Sequence, residues 1–379
     1  MAEAFKIKEK DDELLTDPVI KVVGVGGGGG NMLNHMIEKG VKNIELICAN
    51  TDVQALRANK ASIKIQLGKE LTKGLGAGME PEVGKGAAEE SYEEIKKALE
   101  GANLVFISAG MGGGTGTGAA PVIAKAAKEI GALTIGVVTK PFRREGAKRA
   151  KLAEIGFNEL KAECDSIVTI LNQKLLSIID RRASRKDAYK KVDDVLFQAV
   201  NGISSIIVSD NEGINVDFAD LKKVMSHKGM ALMGIGHKAG ENSAYDALSE
   251  AIESPLLDDT DIKDASGLLV HYTINENYPL VDVDEAIESI LGDLIENENV
   301  DIIHGESIDN SLADDEIIMT IVATGFDEKK AANNPKKPET KTVNDLPNLT
   351  KKVVGLDDTS VELTGEDIDI PTFLRKGRD

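Results

Sequence analysis

Residues 110–118 read GMGGGTGTG, six glycines in nine positions, directly after the apolar run at 103–109. A second run, GVGGGGGN at 24–31, follows the apolar stretch at 19–23 in the same way. Ordered glycine loses more conformational freedom than any other residue, so such clusters mark backbone that something must approach closely. A tight strand-to-helix turn accounts for one loop of this kind. Two on the same pattern are hard to explain by packing alone.

The rest of the first half supplies the frame for these loops. From Ile20 to Leu171, β-branched runs (IKVVGV, IELICA, SIKIQL, NLVFISA, LTIGVVT, SIVTIL) alternate with amphipathic stretches such as NMLNHMIEKG, SYEEIKKALEG and PVIAKAAKEIG. Strand–helix alternation predicts an α/β fold with a mostly parallel sheet covered on both faces. Ligands of such sheets sit outside the carboxyl ends of the strands. The glycine loops follow the first and fourth predicted strands, so both are expected on that edge, facing one cleft. A long helix is predicted over about 187–209, interrupted by one glycine, Gly202. Beyond it, helices (AYDALSEAIES, VDEAIESILGDLIENE) and strands (GLLVHYTI, VDIIHGES, EIIMTIVAT) do not alternate strictly, which predicts a second, smaller α/β domain with a mixed sheet. From 327 to 366 charges, prolines and asparagines dominate, the composition of a disordered linker.

Composition removes several functions. The net charge of −19 argues against nucleic-acid or anionic-membrane surfaces. With 3% aromatic residues and no tryptophan, stacking platforms for single strands are also unsupported. Two distant cysteines, Cys48 and Cys164, and five histidines without ligand spacing suggest neither disulfides nor a protein-built metal site. The start lacks an apolar leader and no apolar run nears membrane-span length, so a soluble cytoplasmic protein is expected. The chain is long enough for two full cores.

Three nucleotide readings compete for the glycine loops. Gly24, Gly26 and Gly29 satisfy a dinucleotide fingerprint, with Asn50 and Asp52 after the second strand where a ribose-binding acid would stand. Five consecutive glycines satisfy many patterns, however. A Walker loop fails, because GMEPEVGKG has the wrong spacing and Gly86 follows Lys85 where Ser or Thr is needed. The third reading explains both loops: glycine-run N–H groups and the helix N-termini behind them surround a phosphate chain without lysine, and Thr115 and Thr117 add hydroxyls.

The motif GGGTGTG at 112–118, with GVGGGGGN, NTD, KGLGAG, VVTKPF, EGAKR and NVDFAD in order, resembles the tubulin/FtsZ family, from about Val19 to Gly325. The resemblance, closest to its bacterial cell-division branch, implies a GTPase binding GTP or GDP, with Mg²⁺ carried mainly by the nucleotide phosphates. It implies that Gly27, Gly28, Gly29, Gly30 and Asn31 form one phosphate loop and Gly114, Thr115 and Gly116 the centre of the other. Glu145 and Arg149 become ribose-side contacts, Tyr189 the ring that stacks on the base, and Asp193 the reader of guanine N1–H and N2–H. Read without the family, Glu145, Arg149 and Asp193 are ordinary solvated helix charges. Tyr189 replaces a usual phenylalanine, Leu171 a usual proline before Asn172, and Arg144 a commonly aromatic residue; RRASRK at 181–186 is unusually basic.

Hydrolysis needs preorganised donors and an oriented water. Asn215, Asp217 and Asp220 in NVDFAD are the candidates for orienting it. Asp217 and Asp220 are three apart and share a face if helical. Alone, the motif reads as a helix cap. The resemblance makes it a loop projecting into the next copy's nucleotide site, so that head-to-tail contact builds a filament and completes the active site. The chain then divides into a tail (1–18), a GTP-binding domain (19–186), a central helix (187–210), a second domain (211–326), a linker (327–366) and a terminal peptide (367–379). That peptide, with Ile370, Pro371, Phe373 and Leu374, resembles a segment that docks on membrane tethers such as the actin-like FtsA, strengthened by avidity along a filament. The implied place is the cytoplasm at mid-cell, with no direct membrane insertion and no nucleic acid. An NAD(P)-dependent oxidoreductase and a nucleotide-binding scaffold that does not hydrolyse are the alternatives.

Overall fold

The computed structural model describes residues 18–326, apart from 42, 177–178, 180–181, 206, 208–216, 228, 255–256 and 258–261. The linker, the terminal peptide and Asn215 therefore lie outside the described residues.

The first half alternates as its sequence predicts. In chain order it comprises β1 (Ile20–Val25), α1 (Gly26–Glu38), β2 (Ile44–Asn50), α2 (Val53–Ala58), β3 (Ile63–Gln66) and α3 (Lys69–Thr72). Then come α4 (Pro81–Glu90), α5 (Tyr92–Leu99), β4 (Leu104–Gly110), α6 (Thr115–Glu129), β5 (Leu133–Lys140), α7 (Ala147–Glu163), β6 (Ser166–Leu171) and α8 (Asn172–Leu175). These six strands pair in parallel in the order β3-β2-β1-β4-β5-β6. All six residues of β1 are buried, the mark of a parallel strand covered on both faces. The order reverses between β1 and β4, and crevices for ligands open at such reversals.

The central helix, α9 (Arg185–Ser205), begins two residues before its pattern predicts, and the predicted end near 209 lies outside the described residues. Val192, Val195, Leu196, Ala199, Val200 and Ile203 form its buried stripe at helical spacing. Each larger aliphatic contributes about 1.5–3 kcal/mol through burial. The stripe joins a core with Met32, Leu33 and Met36 of α1, so α1 and α9 cover the same face of the sheet. Helices α4 to α7 close the other face over a second core.

The second half contains α10 (Phe218–Met225), β7 (Gly229–Ala239), α11 (Ser243–Ile252), β8 (Gly267–Ile274), α12 (Leu280–Ile295), β9 (Asp301–Ile308) and β10 (Glu316–Thr324). Its sheet is mixed: β10 is antiparallel to β7 and β8, while β8 and β9 are parallel. A third core lies between this sheet and α11 and α12. Strand β7 is absent from the sequence-predicted strands. Two of its glycines are there because α11 lies directly on its backbone: a Cβ at Gly234 would overlap the carbonyl of Ala251, and one at Gly236 that of Ala247. Residues Gly229–Ala231 also pair with Ser166–Val168 of β6, which joins both halves into one ten-stranded sheet.

Candidate functional site

Parallel register puts Gly24 beside Ser108 and Val25 beside Ala109, so both glycine loops leave the sheet side by side. Helix α1 starts at Gly26, in the left-handed region at φ +69°. The run then divides by task. Gly29 and Gly30 are buried: a Cβ at Gly29 would overlap the Ser108 carbonyl, while one at Gly30 would only touch the Asn59 amide at 3.4 Å. Gly27 and Gly28 are exposed; a Cβ at Gly28 would press on the Gly110 backbone at 3.0 Å, and one at Gly27 would meet nothing within 4 Å. Packing therefore demands glycine at 29, favours it at 28 and leaves Gly27 unexplained. The opening N–H groups of a helix lack intrahelical partners, and neither α1 nor α6 has a side-chain cap or an acid in its first turn.

In the second loop Gly112 requires glycine because its φ is +98°. Its N–H donates to Thr117 Oγ1 at 2.8 Å, and Thr117 is buried. The Thr117 hydroxyl therefore closes the loop from inside, in place of the cleft-facing role expected for it. Thr115 is half-buried and shares a 2.7 Å hydroxyl contact with buried Thr51. Gly114 has an ordinary φ of −86°, so its conformation does not demand glycine. Space does: a Cβ there would lie 2.7 Å from the carbonyl oxygens of both Ala77 and Gly78. Gly116 is likewise pressed, since a Cβ would come within 2.8 Å of the Gly110 carbonyl, whereas Gly113 faces open space.

The base-side candidates meet in one place. Gly28, Asn31, Glu145, Arg149, Tyr189 and Asp193 line a cavity of about 300 Å³. It adjoins a wider one of about 900 Å³ that shares Asn31, Tyr189 and Asp193. Arg149 donates to Glu145 at 2.6 Å, and Glu145 also accepts from the Phe142 N–H at 3.0 Å, which fixes the carboxylate at the cavity wall. Tyr189 stands edge-on to buried Phe142, ring centres 5.5 Å apart, and the Arg144 guanidinium lies over the Phe142 ring, 4.8 Å from its centre. Behind the cavity, His35 and Lys39 of α1 stand 3.2 and 3.5 Å from Asp194, tying α1 to α9. Burial pushes the Asp193 carboxyl up to about 7. The cavity thus offers an acceptor held at the edge of ionisation, a ring for stacking and bare backbone donors.

Sequence reasoning missed Asn172 as a site residue. It is buried, lines the same cavity, and its Oδ1 has no hydrogen-bond partner. Its signal was positional: it is the first residue past the carboxyl end of β6.

The remaining candidates lie elsewhere. Asp217 caps α10, its Oδ1 accepting from the Ala219 N–H at 3.1 Å, and Asp220 sits in the first turn; both are exposed. Helix α10 leads into Gly229, which pairs with Ser166 at the start of β6. That is the amino edge of the parallel strands, opposite the glycine loops. Lys223 and His227 both reach Asp301, and Thr324 donates to the Val224 carbonyl at 2.9 Å, so α10 is fastened to the second half.

Residues 19–180 match the GTPase-domain model of the Tubulin/FtsZ family, and residues 229–327 the C-terminal-domain model of the FtsZ family. An FtsZ from M. jannaschii, solved as an empty dimer, is 42% identical over 83% of this chain and 90% of that one, with a TM-score of 0.76. The chain belongs to the FtsZ family. A mutant FtsZ from M. jannaschii is similar at 43% identity, over 82% of this chain and 92% of that one, with a TM-score of 0.77. CetZ2 from Haloferax volcanii, solved as a GTPγS-bound protofilament, shares 19% identity over 81% of this chain and 93% of that one, with a TM-score of 0.68, a likeness of fold. As an FtsZ-family GTPase the chain binds and hydrolyses GTP, giving GDP and phosphate. Among the described residues no helix is long and apolar enough to cross a membrane.

Proposed function

We propose that this FtsZ-family chain polymerises head to tail and hydrolyses GTP at a site shared by neighbouring copies. The observation that carries the reading is the opposition of two edges. The glycine loops open at the carboxyl edge of the parallel strands, while α10, with Asp217 and Asp220, leads into the amino edge. Neither acid lines the base-side cavity. Stacked copies juxtapose the edges, and a contact of this heterologous kind propagates into an open filament.

In this reading the α1 and α6 N-termini receive the phosphates through Gly27, Gly28 and Gly113, with Thr115 as a hydroxyl donor. Gly29, Gly30, Gly114 and Gly116 shape the loops, and Asn31 extends the first toward the base. Glu145 and Arg149 hold the ribose side, Tyr189 stacks on the base and Asp193 accepts from guanine N1–H and N2–H. Asp217 and Asp220, with Asn215 beside them in sequence, orient the attacking water in the next copy. Mg²⁺ arrives with the nucleotide and is held mainly through its phosphates. The biological setting we assign is the cytoplasmic division ring at mid-cell. There the 327–366 linker carries the 367–379 peptide, through Ile370, Pro371, Phe373 and Leu374, to a membrane tether such as FtsA.

The decisive experiment combines sedimentation with phosphate release, with GTP, ATP and NADH in parallel. GTP alone should drive pelleting, and turnover per chain should rise steeply with concentration. Turnover independent of concentration would place a complete site in one chain. Pelleting without phosphate release would leave a scaffold, and NADH binding would favour the oxidoreductase.

A further inference from the structure

Arg185, Tyr189 and Asp193 follow one another at four-residue intervals, so they rise from one face of α9. Helical side chains lean toward the N-terminus. Arg185, the first residue of the helix, instead folds back, its guanidinium carbon 5.6 Å from the centre of the Tyr189 ring. It lines both the 300 Å³ cavity and the 900 Å³ one, as Tyr189 and Asp193 do. Along this face of α9 the Tyr189 ring thus follows a donor fork and precedes an acceptor, the Asp193 carboxyl. Arg185 takes no part in the phosphate, ribose or base contacts assigned to the other residues of the cleft.

We propose that Arg185 is a second specificity-determining residue, whose guanidinium donates to O6 and N7 of a guanine lying on Tyr189. The proposal rests on the reading that nucleotide occupies this cleft. Guanine presents donors along N1 and N2, which suit Asp193, and two adjacent acceptors at O6 and N7. A guanidinium fork matches that acceptor pair and is a common reader of it. Adenine keeps N7 but carries an amino donor at position 6, so the fork would meet one acceptor and one repelling donor. Arg185 and Asp193 thus test opposite rims of the same ring, and their contributions are separable by changing single atoms of the base. The tyrosine helps hold the fork in place, because guanidinium stacks on aromatic faces.

The test measures affinities of the nucleotide-free full chain by competition against a fluorescent guanine nucleotide, with GTP, 7-deaza-GTP and ITP as competitors. Removing N7 should weaken binding to the wild type about tenfold, the scale of one buried hydrogen bond to a charged group. In Arg185→Leu, GTP itself should bind more weakly and the 7-deaza penalty should vanish. Arg185→Lys, which keeps the charge without the fork, should restore only part of the difference. ITP lacks the N2 amino group, so its penalty should persist in Arg185→Leu and disappear in Asp193→Leu, which has no acceptor. The proposal is overturned if 7-deaza-GTP binds the wild type as GTP does. It is equally overturned if Arg185→Leu weakens both nucleotides alike, the mark of a phosphate or ribose contact, or weakens neither. If Asp193→Leu leaves both GTP affinity and the ITP penalty unchanged, the base does not sit on α9, and the underlying reading falls with it.

Discussion

The amide of Gly114 donates to the carbonyl of Gly78 across 3.0 Å, and the carbonyls of Ala77 and Gly78 occupy the space a side chain at 114 would need. The signature loop is thereby moulded onto the KGLGAG segment as much as toward a ligand. Two glycines in neighbouring loops should therefore answer differently to substitution. Gly114→Ala overpacks the loop and should cost about 1–3 kcal/mol of stability, measured by denaturant unfolding. Gly27→Val meets open space and should stay within about 0.5 kcal/mol of the parent, yet lose GTP affinity by more than about tenfold. Normal GTP binding in a folded Gly27→Val chain would remove the first loop from the phosphate site.

Asp193 gives a pH signature. Its folded value of about 7 stands above its ordinary 3.8, so the native chain keeps a proton that the unfolded chain releases. Stability contributed by that proton is full below the ordinary value and is lost as pH rises through 7. Asp193→Asn should match the parent in thermal stability near pH 4 and exceed it above pH 8. The same substitution should weaken GTP binding, and the parent's advantage should grow as the carboxylate ionises between pH 6 and 8. A stability difference that does not change with pH would refute the burial argument.

Asp217 has a capping duty that must be separated from chemistry. Asparagine also caps helices, whereas alanine loses about 0.5–2 kcal/mol there. Asp217→Asn should therefore bind GTP and assemble, while its phosphate release falls about a hundredfold, close to 3 kcal/mol in the barrier. Mixed with Gly27→Val, which keeps NVDFAD but loads poorly, it should regain part of its turnover. Co-sedimentation has to accompany the assay. Co-assembly without recovery would rule out a site made in trans.

The grip on α10 predicts a remote effect. Asp301 holds both Lys223 and His227, and its carboxyl is kept below the usual range chiefly by the hydrogen bond from Lys223. These side chains are partly exposed, so Asp301→Asn should cost no more than about 1 kcal/mol of stability. Turnover within polymers should nevertheless drop several-fold with GTP affinity unchanged. Equal losses in affinity and turnover would show that α10 is not the element disturbed.

Truncation after Phe326 removes a stretch without core patterning. Folding, GTP binding and pelleting should persist, while recruitment to a tether-bearing vesicle should be lost. Unfolding of the shortened chain would show that residues past 326 belong to the core.

Much of this was legible in the sequence, for identifiable reasons. Strands β1, β2 and β4 to β6 were readable because parallel strands buried on both faces are continuous apolar runs, and β3, at the sheet edge, through its alternation. Strand β7 was not, since its glycines answer to the backbone of α11 rather than to any local preference. The loops announced themselves through glycine density, but density does not separate Gly27, in open space, from Gly29, wedged on Ser108. Glu145 and Arg149 read alone as a surface pair; only the turn after β5 brings them to the cavity. Asn172 and Arg185 are single polar residues at the first positions of helices and leave no periodic trace.

The seam at β7 has a consequence for the chain as two pieces. A cut between α9 and α10 would leave one fragment ending its sheet at β6 and the other beginning with β7, each with a row of unpaired backbone groups. The native partners, Gly229–Ala231 and Ser166–Val168, are already in parallel register for strand addition. Separately made halves therefore carry matching raw edges, and the protein holds within one polypeptide the layout of a reconstitutable split pair.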